Sequence, residues 1–198
     1  MLPPDIDPQS RCRLPLVKRE DLDDEGKKMF DTHTDPRGGT IRGLNGPGGI
    51  GLHSQKLAGL TRPVGRYLRF EAPENPRVRE TAILIAARMA DSKFEWAAHE
   101  PEGLSVGVPA AVIDVIKNHK PTAGLDDTDQ IVIELGREAL GKRKVSPATY
   151  ARAHKRFGTK GLIDLVNLMG NYTATAALLC VFDMQLDDGP NVAQLPVA

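Results

Sequence analysis

Apolar and polar residues along this chain recur with a helical period. No segment alternates with period two over a useful length, and the turn pairs that announce hairpins fall between helical stretches. The pattern predicts an all-α protein. Asp21 to Thr32 reads as a short charged helix, and Leu52, Leu57, Leu60, Val64, Tyr67 and Leu68 mark an apolar helical stripe. Asn75-Pro76 is a helix start, followed by Arg77 to Ala90, which is apolar on every side from Ala82 to Ala87 and is expected to be buried. Asp91-Ser92 restarts the chain, and Ser92 with Glu95 fits a capping box. Pro109 opens Ala110 to His119, and Asp126 or Asp127 opens a helix that stops near Gly141. Ser146-Pro147 opens another, which Gly158 closes as a left-handed C-cap. Lys160 to Asp183 is a long closing helix, apolar around much of its circumference.

Two segments break this pattern. Residues 1–19 carry four prolines and no periodicity, so they read as an extended arm ahead of a single helical domain at 20–185 and a tail at 186–198. Pro36 to Gly51 (PRGGTIRGLNGPGGIG) is too glycine-rich for a regular element, and a long loop that opens straight into a helix is expected to be functional.

Composition narrows the classes. The chain is 40% hydrophobic and 26% charged, an ordinary globular mixture. Its net charge of +0 supplies no global attraction for nucleic acid or an anionic membrane, and near-neutrality favours self-association. The longest apolar run, Ala176 to Phe182, is far below the ~20 residues of a membrane span, and the N-terminus has no apolar signal core. A cytoplasmic location is the expectation. The only two cysteines, Cys12 and Cys180, exclude a disulfide scaffold, a multi-cysteine zinc site and a Cys-x-x-Cys pair.

The densest chemistry lies in Ser92 to His99 (SKFEWAAH), with Glu80 one helix earlier. Glu95 and His99 stand four apart on one helical face, and Ser92 joins that row. A carboxylate beside an imidazole fixes its tautomer and tunes it for general acid–base work, and burial pushes neighbouring acids apart. The competing reading is structural: a capped helix with a solvated pair worth ~0.2–0.5 kcal/mol.

The run RETAILIAARMADSKFEWAAH resembles the signature of the carboxymuconolactone decarboxylase and alkylhydroperoxidase D-like family, with its Arg-Glu pair, apolar helix and closing Glu-Trp-x-x-His. Upstream, LHSQKLAGLTRPVGRYLRF is similar to the family's His-Ser-Pro-x-Leu helix, with Gln55 where proline is common. Downstream, TYARAHKRFGTKGLIDLVNLMGNYTATAALL is similar to its closing helix; together the likeness covers about residues 25–185. Peroxidase members use a Cys-x-x-Cys pair, which falls here on Ser92 and Glu95, so the resemblance implies a non-redox branch. Their relay glutamate falls on Glu80, 19 residues before His99. Glu100-Pro101-Glu102-Gly103 departs from the family's Ala-Arg-x-x-Gly run, and Pro101 is expected to end or kink the helix.

The resemblance implies a helical bundle that assembles as a homo-trimer or homo-hexamer. It also implies an acid–base lyase of the aromatic-catabolism type, needing no cofactor and no metal. His99, Glu80 and Glu95 are the expected catalytic residues. Arg42 and Asn45 in the glycine-rich loop, His53 after it, Trp96, His154 and Tyr172 are the candidate substrate contacts. Each has a plainer alternative: a solvated arginine, a satisfied core histidine for His154, a packing tryptophan. A metal site from His53, His99 and His154 lacks any supporting spacing. Two rival functions are a ligand-binding member without chemistry, and a lone-cysteine peroxidase; the second needs an accessible Cys180, whereas its apolar neighbours predict a buried thiol.

Overall fold

The computed structural model describes residues 2–35, 37, 41–72, 74–186, 189 and 192–196. Among them it contains helices and no strand: α1 (Asp24–Thr34), α2 (Pro47–Leu52), α3 (Gln55–Arg66), α4 (Pro76–Met89), α5 (Lys93–Ser105), α6 (Ala110–Lys117), α7 (Asp127–Gly136) and α8 (Pro147–Val181). π-helical turns extend α3 over Tyr67–Glu71 and α7 over Arg137–Lys142.

The wholly apolar stretch of α4 is the axis of the molecule. Ala82 to Ala87 are all 0% exposed, because α5, α6, α7 and α8 enclose them on every side. Trp96, Ile116, Ile133, Leu168 and Met169 are the largest neighbours in that core. Helices α4 and α7 can approach closely because Gly136 has no Cβ: one built there would lie 2.7 Å from Ile85 Cγ1 and 2.8 Å from its Cγ2. Side-chain caps start these helices where expected. Asn75 accepts from the Val78 N–H, Ser92 from Glu95 and Ser146 from Thr149.

Several expectations need correction. The first residues are not an extended arm: residues 4–14 form turns and bends, with Ile6 and Cys12 buried. The Arg13 N–H donates to the Phe182 carbonyl at 2.9 Å, and the Gln185 N–H to the Arg11 carbonyl at 2.8 Å. The two chain ends therefore brace one another over a small cluster of Cys12, Ile50, Phe94, Leu179 and Met184. Burial of these residues supplies what the proline-rich sequence lacks in periodicity.

The glycine-rich stretch is helical in its second half, where Pro47 at the first turn starts α2 and Ile50 and Leu52 are buried. Pro36 and residues 38–40 lie outside the described residues. Pro101 does not end its helix. Helix α5 runs on to Ser105, since Gly103 is buried against Leu84 of α4 and that packing outweighs one missing backbone hydrogen bond. The capping box is made only in part: Ser92 caps, but its own N–H donates to the Ala87 carbonyl, leaving Glu95 turned elsewhere.

Gly158 interrupts α8 as anticipated, with a positive φ of 65°. Its ψ of 178° puts it in the extended region open only to glycine instead of the left-handed helical one. The stripe Leu57, Leu60 and Val64 of α3 is not buried; these residues are 57%, 66% and 52% exposed.

Gly136→Val forces two branches into Ile85 and is expected to destabilise the fold by about 1–3 kcal/mol. Gly170→Ala, at an exposed helical position with nothing within 4 Å, is expected to stabilise it by about 0.5–1 kcal/mol. Urea unfolding of both variants checks this; equal midpoints would contradict the account of α4 packing.

Candidate active site

Helices α4 and α5 lie side by side, and their facing sides bring together three buried polar side chains. Glu80, Glu95 and His99 are 4%, 3% and 3% exposed. His99 Nδ1 sits 2.8 Å from Glu80 Oε2, and its Nε2 sits 3.5 Å from Glu95 Oε2. A carboxylate only accepts, so the Nδ1–H donates to Glu80. That contact fixes the tautomer and leaves Nε2 facing Glu95. The Glu95–His99 leg is the i,i+4 geometry of one helix. The Glu80 leg is tertiary, set by the packing of α4 on α5.

Burial pushes the Glu95 carboxyl above the ordinary carboxylate range. The charges of His99 and Arg69 pull the other way, and Glu80 adds to the rise. Glu95 is therefore inclined to hold a proton. Tyr172 completes the group from α8, its ring edge-on to His99 at 5.0 Å and 90°. Burial raises the Tyr172 phenol as well, so it remains a neutral donor.

Glu95, His99 and Tyr172 line a cleft of about 1010 Å³; Glu80 does not, and stands behind the imidazole. Among the described lining residues, Glu95 is the sole carboxylate, whereas Arg42, Arg62, Arg66 and Arg69 contribute four guanidinium groups. The chain as a whole is neutral, yet this cleft is locally cationic.

The structure sorts the expected contacts. His99, Glu80, Glu95 and Tyr172 meet. Arg42 lines the cleft, its guanidinium 5.7 Å from the centre of the Phe94 ring. His53 lies at the mouth, Nε2 at 3.0 Å from the Pro15 carbonyl. Asn45 is exposed and does not line the cleft. Trp96 is no aromatic wall: it is fully buried in the core, its Nε1–H donates to Glu100, and Lys117 lies over its ring. His154 is neither core nor site. It is exposed, stacked on Tyr150 with ring centres 5.7 Å apart, with Nε2 3.1 Å from Thr159 Oγ1.

Cys180 is exposed, contrary to expectation, and Cys12 is buried. The apolar neighbours of Cys180 in sequence turn to other faces of α8, and the thiol does not line the cleft. Among the described residues no group of three His, Cys, Asp or Glu side chains is gathered as metal ligands, and no helix is long and apolar enough to cross a membrane.

Sequence reasoning missed the arginines of α3 and its extension, together with His33 of α1. Arg62, Arg66 and Arg69 follow one another at intervals of four and three, the spacing of one helical face, which was available as a signal. His33 had none: its ring reaches the cleft only because Gly48 makes room, where a Cβ would lie 2.5 Å from Cε1. None of the family models, curated proteins or solved structures compared with the chain matches it.

A carboxyl whose folded pKa is raised contributes its full stability below the unfolded value, and that contribution is lost as pH rises through the folded value. Wild-type stability is therefore expected to fall relative to Glu95→Gln as pH climbs above the ordinary carboxylate value of 4.5. Urea unfolding across that range checks it; a constant difference between the two proteins would show Glu95 to be unperturbed.

Proposed function

We propose that this chain is an acid–base enzyme that uses side chains alone to move a proton next to a carbonyl of a small carboxylated or lactone substrate. Decarboxylation, lactone opening and isomerisation all fall within that chemistry, and all agree with the resemblance to the carboxymuconolactone decarboxylase family. One observation carries the reading: an imidazole held between two buried carboxylates, with its free nitrogen and one of those acids opening into a cationic cleft. A solvated ion pair or a helix cap needs neither that burial nor that cleft.

In this reading Glu80 orients His99 and stabilises the imidazolium that forms, acting as a positioning residue. His99 Nε2 takes the proton from the carbon beside the carbonyl, and the C–H electron pair passes into an enolate. The positive charge of Arg69, close enough to act on both Glu95 and Tyr172, offsets the charge on the enolate oxygen. Glu95, inclined to hold a proton, returns one to carbon, and His99 then reprotonates Glu95 across their 3.5 Å gap. Where a carboxyl group is lost, the C–C bond breaks in place of the C–H bond, its pair passes into the enolate and CO₂ leaves; Glu95 then protonates the carbon and regains its proton from solvent by way of His99. Arg42 and the α3 arginines hold the substrate's own carboxylate.

Assembly belongs to the same proposal. Leu60, Val64, Ile163 and Val166 are exposed apolar residues on α3 and α8, and a homo-trimer or homo-hexamer in the cytoplasm would cover them.

The test is proton exchange. In D₂O, wild-type protein incubated with a panel of keto acids and lactone acids is expected to wash deuterium into the position beside the carbonyl of at least one, followed by NMR. His99→Gln is expected to lower that rate by about 10²–10⁴-fold with an unchanged circular dichroism spectrum. Glu80→Gln is expected to lower it less and to shift its pH profile. Exchange that survives intact in His99→Gln would overturn the mechanism.

A further inference from the structure

The acid–base group occupies one part of a cleft much larger than a compact ring acid requires, towards the upper end for small-molecule sites. The cationic wall of that cleft has a regular geometry. Arg62, Arg66 and Arg69 lie on one face of α3 and its π-helical extension, but they are not equivalent. Arg66 is paired with Glu71 at 3.1 Å. Arg62 and Arg69 form no ion pair or hydrogen bond with any described residue. They are seven residues apart, two helical turns, or about 10 Å.

The two ends of this span differ chemically. Arg69 faces the acid–base group, where its charge acts on Glu95 and Tyr172. Arg62 and His33 both line the cleft; burial first, and then the charge of Arg62, disfavour protonation of His33. His33 is nested on Gly48, and its Nδ1 is buried without a hydrogen-bond partner among the described residues. Arg62 is exposed and has no ion pair or hydrogen bond among the described residues, so its guanidinium is open to an anion, and the His33 ring lines the same cleft. The remaining lining is largely apolar, including Ile50, Leu57, Phe94, Leu178 and Phe182.

We propose that the ligand of this cleft is an elongated amphiphilic acid. Its anionic group binds Arg62 and His33, its apolar body fills the cleft, and its reacting carbonyl lies about two helical turns away beside Glu95, His99 and Arg69. The assignment of the reacting end rests on the acid–base reading above; the anchor does not. In this proposal a small compact acid bridges the two ends less well than an elongated one, and the backbone spacing from Arg62 to Arg69 sets the preferred chain length.

The anchor is tested by binding alone, with no turnover required. Straight-chain carboxylates from butanoate to decanoate are titrated calorimetrically into the full-length protein at fixed ionic strength. Affinity is expected to rise about two- to fourfold per added methylene and to level off once the chain spans the cleft. Arg62→Gln, an exposed position that the core does not use, is expected to weaken octanoate and decanoate about tenfold while leaving octan-1-ol unchanged. Gly48→Ala, which displaces the His33 ring, is expected to weaken the same acids without removing a charge.

No binding, affinity indifferent to chain length, or equal losses for acid and alcohol in Arg62→Gln would each overturn the proposal. Graded binding in a protein that fails the deuterium assay leaves the ligand class standing and removes only the chemistry. Deuterium exchange without graded binding does the reverse.

Discussion

The organisation of this molecule follows from burying an imidazole between two carboxylates. Removing even one charge from water is costly, and an unpaired buried ion costs several kcal/mol. Glu80, His99 and Glu95 escape most of that cost because each has a partner and because Glu95 is driven to hold its proton. The arrangement requires that α4 and α5 be fixed relative to each other to within hydrogen-bond tolerance. The rest of the core does this. Residues Ala82 to Ala87 are enclosed on all sides, Gly136 lets α7 come close, and Ser92 caps α5 at the point that sets its register. A loosely packed α4 would let water reach the trio and return each group to ordinary behaviour.

Local charge matters more here than the total. The chain sums to zero, yet among the described residues four guanidinium groups and one carboxyl, itself biased towards neutrality, line the cleft. The field in that cleft is therefore positive, and low-dielectric walls strengthen it. Arg69 works in two directions. It moderates the rise that burial imposes on Glu95 and Tyr172, and in the proposed reaction it would present positive charge where negative charge develops.

Much of the fold was legible because packing and periodicity agree. The fully apolar face pattern of α4, the cap residues Asn75, Ser92 and Ser146, and the break at Gly158 all announced themselves locally. The site was half legible. Glu95 and His99 share a face by helical spacing, but Glu80 meets them only through tertiary packing, and the family resemblance is what gave it a relay role. Errors fell where a residue type has two common fates. Trp96 and His154 suit either a pocket or ordinary packing, and only the orientation of their helices decides; one went into the core and the other to the surface. The arginines of α3 were passed over because charge on an amphipathic helix ordinarily means solvent. His33 was invisible because Gly48, a residue with no side chain, is what admits it.

Helix α3 is the least anchored part of this design. None of its residues is buried, and Pro63 interrupts its backbone hydrogen bonding. One side of it supplies the arginines of the cleft, while Leu60 and Val64 stand uncovered. A helix with few buried contacts opens at low free-energy cost, so the spacing between Arg62 and the acid–base group is only as firm as whatever holds α3. Covering Leu60 and Val64 with a neighbouring subunit would bury apolar surface at roughly 25 cal/mol per Å² and would clamp the same helix that carries the cationic wall. The proposed self-association and the proposed ligand recognition would then be coupled through one element: ordering α3 for either purpose would lower the entropic cost of ordering it for the other.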